Sequence, residues 1–159
     1  MREVELVRPD GGRFPLGEKG FLAWGPMWWW HYTTDTPSKW VKGQLNGAGQ
    51  HEGYDLLVPE GTPLIAPCTG RILIAGPDKR WSKFGNMVQI EVIPSLGGYT
   101  LVNLAHLSRL YVISGDLVVR GETVIGDSGS TGNTGNPPFP HCHIGVRGDH
   151  GEPLPIKWV

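Results

Sequence analysis

Five side chains have types and spacing that could perform chemistry together. They are His51 and Asp55 in His51-Glu52-Gly53-Tyr54-Asp55, His106 in Leu104-Ala105-His106-Leu107-Ser108, and the close pair in His141-Cys142-His143. On a strand, a separation of four keeps His51 and Asp55 on one side, and a separation of two puts His141 and His143 on one face with Cys142 turned away. Imidazole nitrogens and a carboxylate suit Zn²⁺, whose catalytic sites take three protein ligands and leave a fourth position open. Five candidates exceed three. The surplus suits hydrolysis, which also needs groups that move protons and stabilise a developing oxyanion near neutral pH. Spacing does not say which three of the five bind. One histidine pair alone would carry little weight, because lone histidines are usually satisfied structural or surface residues.

The elements that must position these groups read as short strands. From Leu56 onward, apolar runs alternate with turn signals: Leu56 to Val58, Pro59-Glu60-Gly61-Thr62, Pro63 to Ala66, Gly70, and Ile72 to Ala75. Met87 to Ile93 sets Val88, Ile90 and Val92 against Gln89 and Glu91, the period-two pattern of a half-buried strand, and Tyr99 to Leu104 is its expected partner. Val118-Val119, Val124 to Gly126 and Ile144 to Val146 supply further strands. No segment has the length and periodicity of an amphipathic helix, and no internal repeat is visible. The 24 glycines and 14 prolines fit many tight turns. The expected fold is mainly β, a compact antiparallel domain with a Gly- and Pro-rich loop from Ser128 to Pro140.

The chain has 159 residues, enough for one core, and its balance of 39% hydrophobic and 18% charged residues is that of a folding chain. Fourteen basic against fifteen acidic residues provide no field for nucleic-acid phosphates, so nucleic acid is not an expected partner. Cys68 and Cys142 are too few for a disulfide framework and are expected to be free and buried. No apolar run reaches the length of a membrane span, and the polar start Met1-Arg2-Glu3-Val4-Glu5 does not look like an export signal. Residues 1–48 hold five of the seven tryptophans, at 24, 28, 29, 30 and 40, and are expected to form an extension packed on the domain of residues 49–159.

The motifs resemble those of the lysostaphin-like, LytM-type zinc metallopeptidases over roughly Gly49 to Gly148. The matching pieces are His51 to Asp55, Gly61-Thr62-Pro63 with Ala66-Pro67 and Gly70, Leu104 to Ser108, Gly115 with Gly121 and Ile125-Gly126, Ser128 to Gly132, and His141-Cys142-His143. All stand in the family's order. The resemblance implies that His51, Asp55 and His143 hold one zinc ion and that His106 and His141 are unligated catalytic histidines. It implies hydrolysis of peptide bonds in the stem or cross-bridge of bacterial peptidoglycan, by a monomer acting on the cell wall. With no export signal in view, release by phage lysis is the expected route, ahead of a processed or virion-associated chain.

The sequence departs from the family in places. Gly132 to His141 is a few residues longer than usual and carries Pro137, Pro138, Phe139 and Pro140, which alters one wall of the groove. Some members place a tyrosine shortly before the first zinc histidine to hold the oxyanion; residues 43–50 contain none, and Tyr32 is the candidate substitute. Cys142 replaces an apolar residue and is expected to fill core. The tryptophans are a sugar platform or, the favoured reading, a cover for a sheet face, since neighbours in Trp28-Trp29-Trp30 cannot all point one way. His31 and His150 lie outside the motifs, where surface roles are expected. Ranked behind the endopeptidase are an amidase cutting the bond from muramic acid to the stem peptide, and a non-catalytic peptidoglycan-binding domain. The presence of all five groups argues against the latter. A lipoyl-like carrier would need a lysine at a hairpin tip, which is missing.

Overall fold

The computed structural model of the chain describes residues 3–13, 53–56, 58–94, 98, 100–134, 138 and 140–159. Eleven strands are found among them: β1 (Val4–Leu6), β2 (Tyr54–Leu56), β3 (Pro63–Ile65), β4 (Gly70–Gly76), β5 (Asn86–Val92), β6 (Leu101–Leu107), β7 (Arg109–Leu110), β8 (Leu117–Val118), β9 (Val124–Asp127), β10 (Cys142–Arg147) and β11 (Ile156–Trp158). A six-stranded antiparallel sheet runs β2-β10-β6-β5-β4-β8, a three-stranded sheet runs β3-β9-β7, and β1 pairs in parallel with β11. The mainly antiparallel β architecture expected from the turn-rich sequence is the one found. Among the described residues no helix is long and apolar enough to cross a membrane.

Side-chain alternation divides the large sheet into two faces. Leu104 lies opposite Ile144 on β10 and Val88 on β5, and all three are fully buried. With Ile72, Ile90, Val102, Leu56 and Ile125 they form the main apolar core. Burying each such side chain contributes about 1.5–3 kcal/mol, which fixes the register because a one-residue slip would turn the whole set to the opposite face. That face carries Asp55, Ala105 and His143, which are aligned across β2, β6 and β10.

The strand ends differ from the sequence pattern where pairing decides. β2 starts at Tyr54, two residues before the apolar run, because it follows its ladder with β10. β6 continues three residues past Leu104 and so carries His106. The described part of the extension includes β1, whose Val4 and Leu6 lie in the core; the tryptophans at 24, 28, 29, 30 and 40, His31 and Tyr32 lie outside the described residues. The short segment Lys79–Phe84 is a 3-10 turn, started by Asp78, whose side chain accepts a hydrogen bond from the Arg80 amide.

Candidate active site

Three neighbouring strands bring four of the five sequence-selected groups together. Asp55 and His143 face each other across β2 and β10, and the Asp55 Oδ1 lies 2.9 Å from His143 Nδ1. The other carboxylate oxygen lies 3.3 Å from His141 Nε2. His141 precedes β10 in an isolated bridge to Gly129, so the two histidines still project to one side, as a two-residue separation predicts. His106 completes the group, its ring centroid 4.7 Å from that of His141 and 6.2 Å from that of His143. All four side chains are buried, between 3% and 6% exposed.

Regular alternation would turn His106 away, since its neighbour Ala105 already faces the site. The register between β5 and β6 resolves this: Val88 pairs with Leu104 but Asn86 pairs with Leu107, so β6 holds one extra residue. His106 has φ +69°, a left-handed conformation that is uncommon for a non-glycine residue. A bulge of this kind re-aims a side chain, and strained backbone of this type collects at functional sites. The ring is fixed by the carbonyl of Thr131, 2.7 Å from His106 Nδ1. A carbonyl only accepts, so Nδ1 carries the proton and Nε2 presents a lone pair. Burial, reinforced by the neighbouring His141 and His143, pushes the His106 pKa down to about 3, which keeps the ring neutral.

Thr131 is in turn held by the paired ends of β5 and β6, at Asn86 and Leu107. Its hydroxyl donates to the Leu107 carbonyl at 2.8 Å and accepts from the Asn86 amide at 3.1 Å. The loop comes so close to the 3-10 turn that a Cβ on Gly132 would stand 2.5 Å from Gly85 N and from Lys83 O, and the Gly132 backbone is left-handed at φ +77°. Only glycine fits both conditions. On the other side of His143, the half-buried Phe84 ring packs at 5.3 Å, and Trp81 stacks on Phe84 with the Arg147 guanidinium over its face.

The donor set suits a zinc ion. Two ligands each about 2.0–2.2 Å from one tetrahedral ion lie roughly 3.4 Å apart, so the Asp55 and His143 atoms that now face each other need separate by only a few tenths of an ångström. Among the described residues, no three His, Cys, Asp or Glu side chains could hold a metal ion by themselves. His51, the remaining ligand implied by the resemblance, lies outside the described residues. Gly53 forms a bend immediately before β2. Cys142 faces the core, fully buried, and desolvation raises its thiol pKa; Cys68 is also free and buried, pushed up to about 12 by desolvation. Both thiols belong to the apolar core.

Two features had no sequence signal of their own. Thr131 acts through its carbonyl, which every residue type possesses, and only its place in Ser128 to Gly132 draws attention to it. Phe84 sits in a stretch of ordinary composition, and its contact with His143 is a product of the tertiary fold.

Residues 49–155 match Peptidase family M23. Lysostaphin from Staphylococcus simulans is 39% identical over 100 residues, covering 63% of this chain and 18% of that protein. The glycyl-glycine endopeptidase ALE-1 from Staphylococcus capitis is 36% identical over 100 residues, again 63% of this chain and 25% of that one. The chain thus aligns with only about a fifth to a quarter of these relatives. Among solved structures, a zinc-containing peptidase from Vibrio cholerae superposes with a TM-score of 0.58 at 27% identity, over 75% of this chain and 33% of that chain. The matched stretch includes all five candidate groups and the nine strands β2 to β10, and on that match the chain belongs to peptidase family M23.

Proposed function

We propose that this protein is a zinc-dependent endopeptidase that cleaves peptide bonds in bacterial peptidoglycan, with zinc held by His51, Asp55 and His143 and with His106 and His141 as catalytic residues. The observation that carries the reading is the Asp55 carboxylate bracketed by His143 and His141, with His106 turned onto the same cluster by a bulge. The site of action in this reading is the cell wall.

Zinc in this position would supply Lewis acidity, polarising a carbonyl and lowering the pKa of a water toward 7. The chain's own groups account for the rest. Asp55 contributes a negative charge beside His143 and His141. His106 has its Nδ1 proton engaged by Thr131, so its Nε2 lone pair is available to accept a proton from the attacking water. His141, against both Asp55 and His106, is placed to hand a proton on and to stabilise the oxyanion. Burial of the cluster strengthens each of these interactions. The likeness to a glycyl-glycine endopeptidase makes a Gly-Gly bond a candidate for the bond cut.

The test is digestion of purified peptidoglycan with zinc-loaded protein, followed by mass spectrometry of the fragments. New peptide amino and carboxyl termini are expected. Release of intact stem peptides from muramic acid would instead establish an amidase, and an unchanged wall with zinc bound would establish a binding domain.

A further inference from the structure

We infer that Tyr54 is a positioning residue for the metal site: through its hydroxyl it ties the Asp55 strand to the β1·β11 pair, which acts as a clasp. The inference rests on the reading of Asp55 as a zinc ligand. β2 is only three residues long, and among the described residues its one strand neighbour is β10. A three-residue edge pairing holds its strand weakly. Asp55 must nonetheless stay within a fraction of an ångström of its place if it is to share an ion with His143.

The missing support comes from the other face of β2. Tyr54, one residue before Asp55, points to the opposite side and is 1% exposed. The Ile156 amide donates to its hydroxyl at 3.0 Å, and Trp158 packs edge-on against its ring at 6.1 Å. Ile156 and Trp158 belong to β11, whose parallel partner β1 buries Val4 and Leu6 in the core. The pair is closed by Val4 N–H donating to the Pro155 carbonyl at 2.9 Å and Val159 N–H donating to the Leu6 carbonyl at 3.0 Å. It is anchored to the body of the domain where Val7 N–H donates to Pro67 and Ile65 N–H donates to Pro9. Tyr54 therefore links the metal-site strand to a fixed point. β1 and β11 both lie outside residues 49–155, so the clasp is an addition to the family-matched stretch.

Linkage makes this testable on the unaltered chain, because if the clasp favours zinc binding then zinc must favour the clasp by the same factor. Amide hydrogen exchange of the full chain, with and without zinc, should show slowing at Ile156 and Val159 that exceeds the slowing at Gly115, whose amide bonds to Ile72 away from the site. Equal slowing at all three, or none at Ile156, overturns the inference. The second arm is Tyr54→Phe, which keeps the ring and removes the acceptor. Competition with a zinc chelator should show affinity about tenfold weaker, the scale on which supporting residues act on metal sites, with the rate recovered at saturating zinc. Wild-type affinity in that variant overturns the clasp alone. A wild-type chain that takes up no zinc overturns the proposed function instead.

Discussion

Gly53 lies against the imidazole of His143: a Cβ at residue 53 would stand 2.8 Å from His143 Nε2 and Cε1, and 2.6 Å from the Ile144 carbonyl oxygen. The backbone two residues before Asp55 thus lies directly against the ring that Asp55 faces. Gly53→Ala should push the imidazole off its position. Overpacking of this kind typically costs about 1–3 kcal/mol, and here the displaced group is a proposed ligand. Zinc affinity measured by chelator competition should fall at least about tenfold. Unchanged affinity would mean that His143 is not a ligand, or that the ring moves freely.

The histidines should divide into two classes. His143→Ala removes a proposed ligand and should lose both zinc and hydrolysis. His106→Ala should keep zinc and slow hydrolysis by roughly 10² to 10⁴, the range for a positioned proton-transfer group. His141→Ala belongs with His106, although its Nε2 lies near Asp55 and could change its metal content slightly. Zinc content and initial rate, measured together at equal metal supply, check the division. Loss of zinc in His106→Ala equal to that in His143→Ala would reverse the assignment.

These groups were legible in the sequence to different depths. His141 and His143 were selected by the two-residue alternation of a strand and Asp55 by its spacing from His51, and the β2–β10 register sets Asp55 against His143. His106 could be selected as chemically odd at the end of an apolar strand, but alternation alone points it away from the site. The bulge that reverses it depends on how β6 pairs with β5, a long-range relation that local pattern does not encode. β1 was illegible for a similar reason: Val4 and Leu6 are two apolar residues in a polar stretch, and only their pairing with β11 makes them a strand. The turn residues were more informative, because Gly53 and Gly132 are required by close approach, a constraint written directly in the sequence as the absence of a side chain.

Acid should destabilise the zinc-free protein through His106. Its folded pKa, pushed down to about 3 by burial and by His141 and His143, lies below the ordinary value of 6.5. Below pH 6.5 the unfolded chain takes up a proton that the folded chain refuses, so the contribution is fully present above 6.5 and is lost as pH falls toward 3. Thermal midpoints across this window should decline less steeply in His106→Gln than in wild type. Parallel curves for the two proteins would show that His106 is not held neutral.

Gly132 should control the catalyst without touching the metal. A Cβ there would meet Gly85 N and Lys83 O at 2.5 Å in a backbone already left-handed at φ +77°, so Gly132→Ala must shift the loop away from the 3-10 turn. The neighbouring Thr131 carbonyl would move with it, and that carbonyl holds the Nδ1 proton of His106. Released from Thr131, the imidazole can carry its proton on either nitrogen and can rotate, so the fraction of molecules presenting an Nε2 lone pair to the site falls. Asp55 and His143 belong to β2 and β10 and do not depend on this contact. Gly132→Ala should therefore lower kcat by about tenfold or more while retaining zinc, the opposite signature from Gly53→Ala, and parallel loss of zinc in both variants would refute the separation of metal-holding and proton-moving parts of the site.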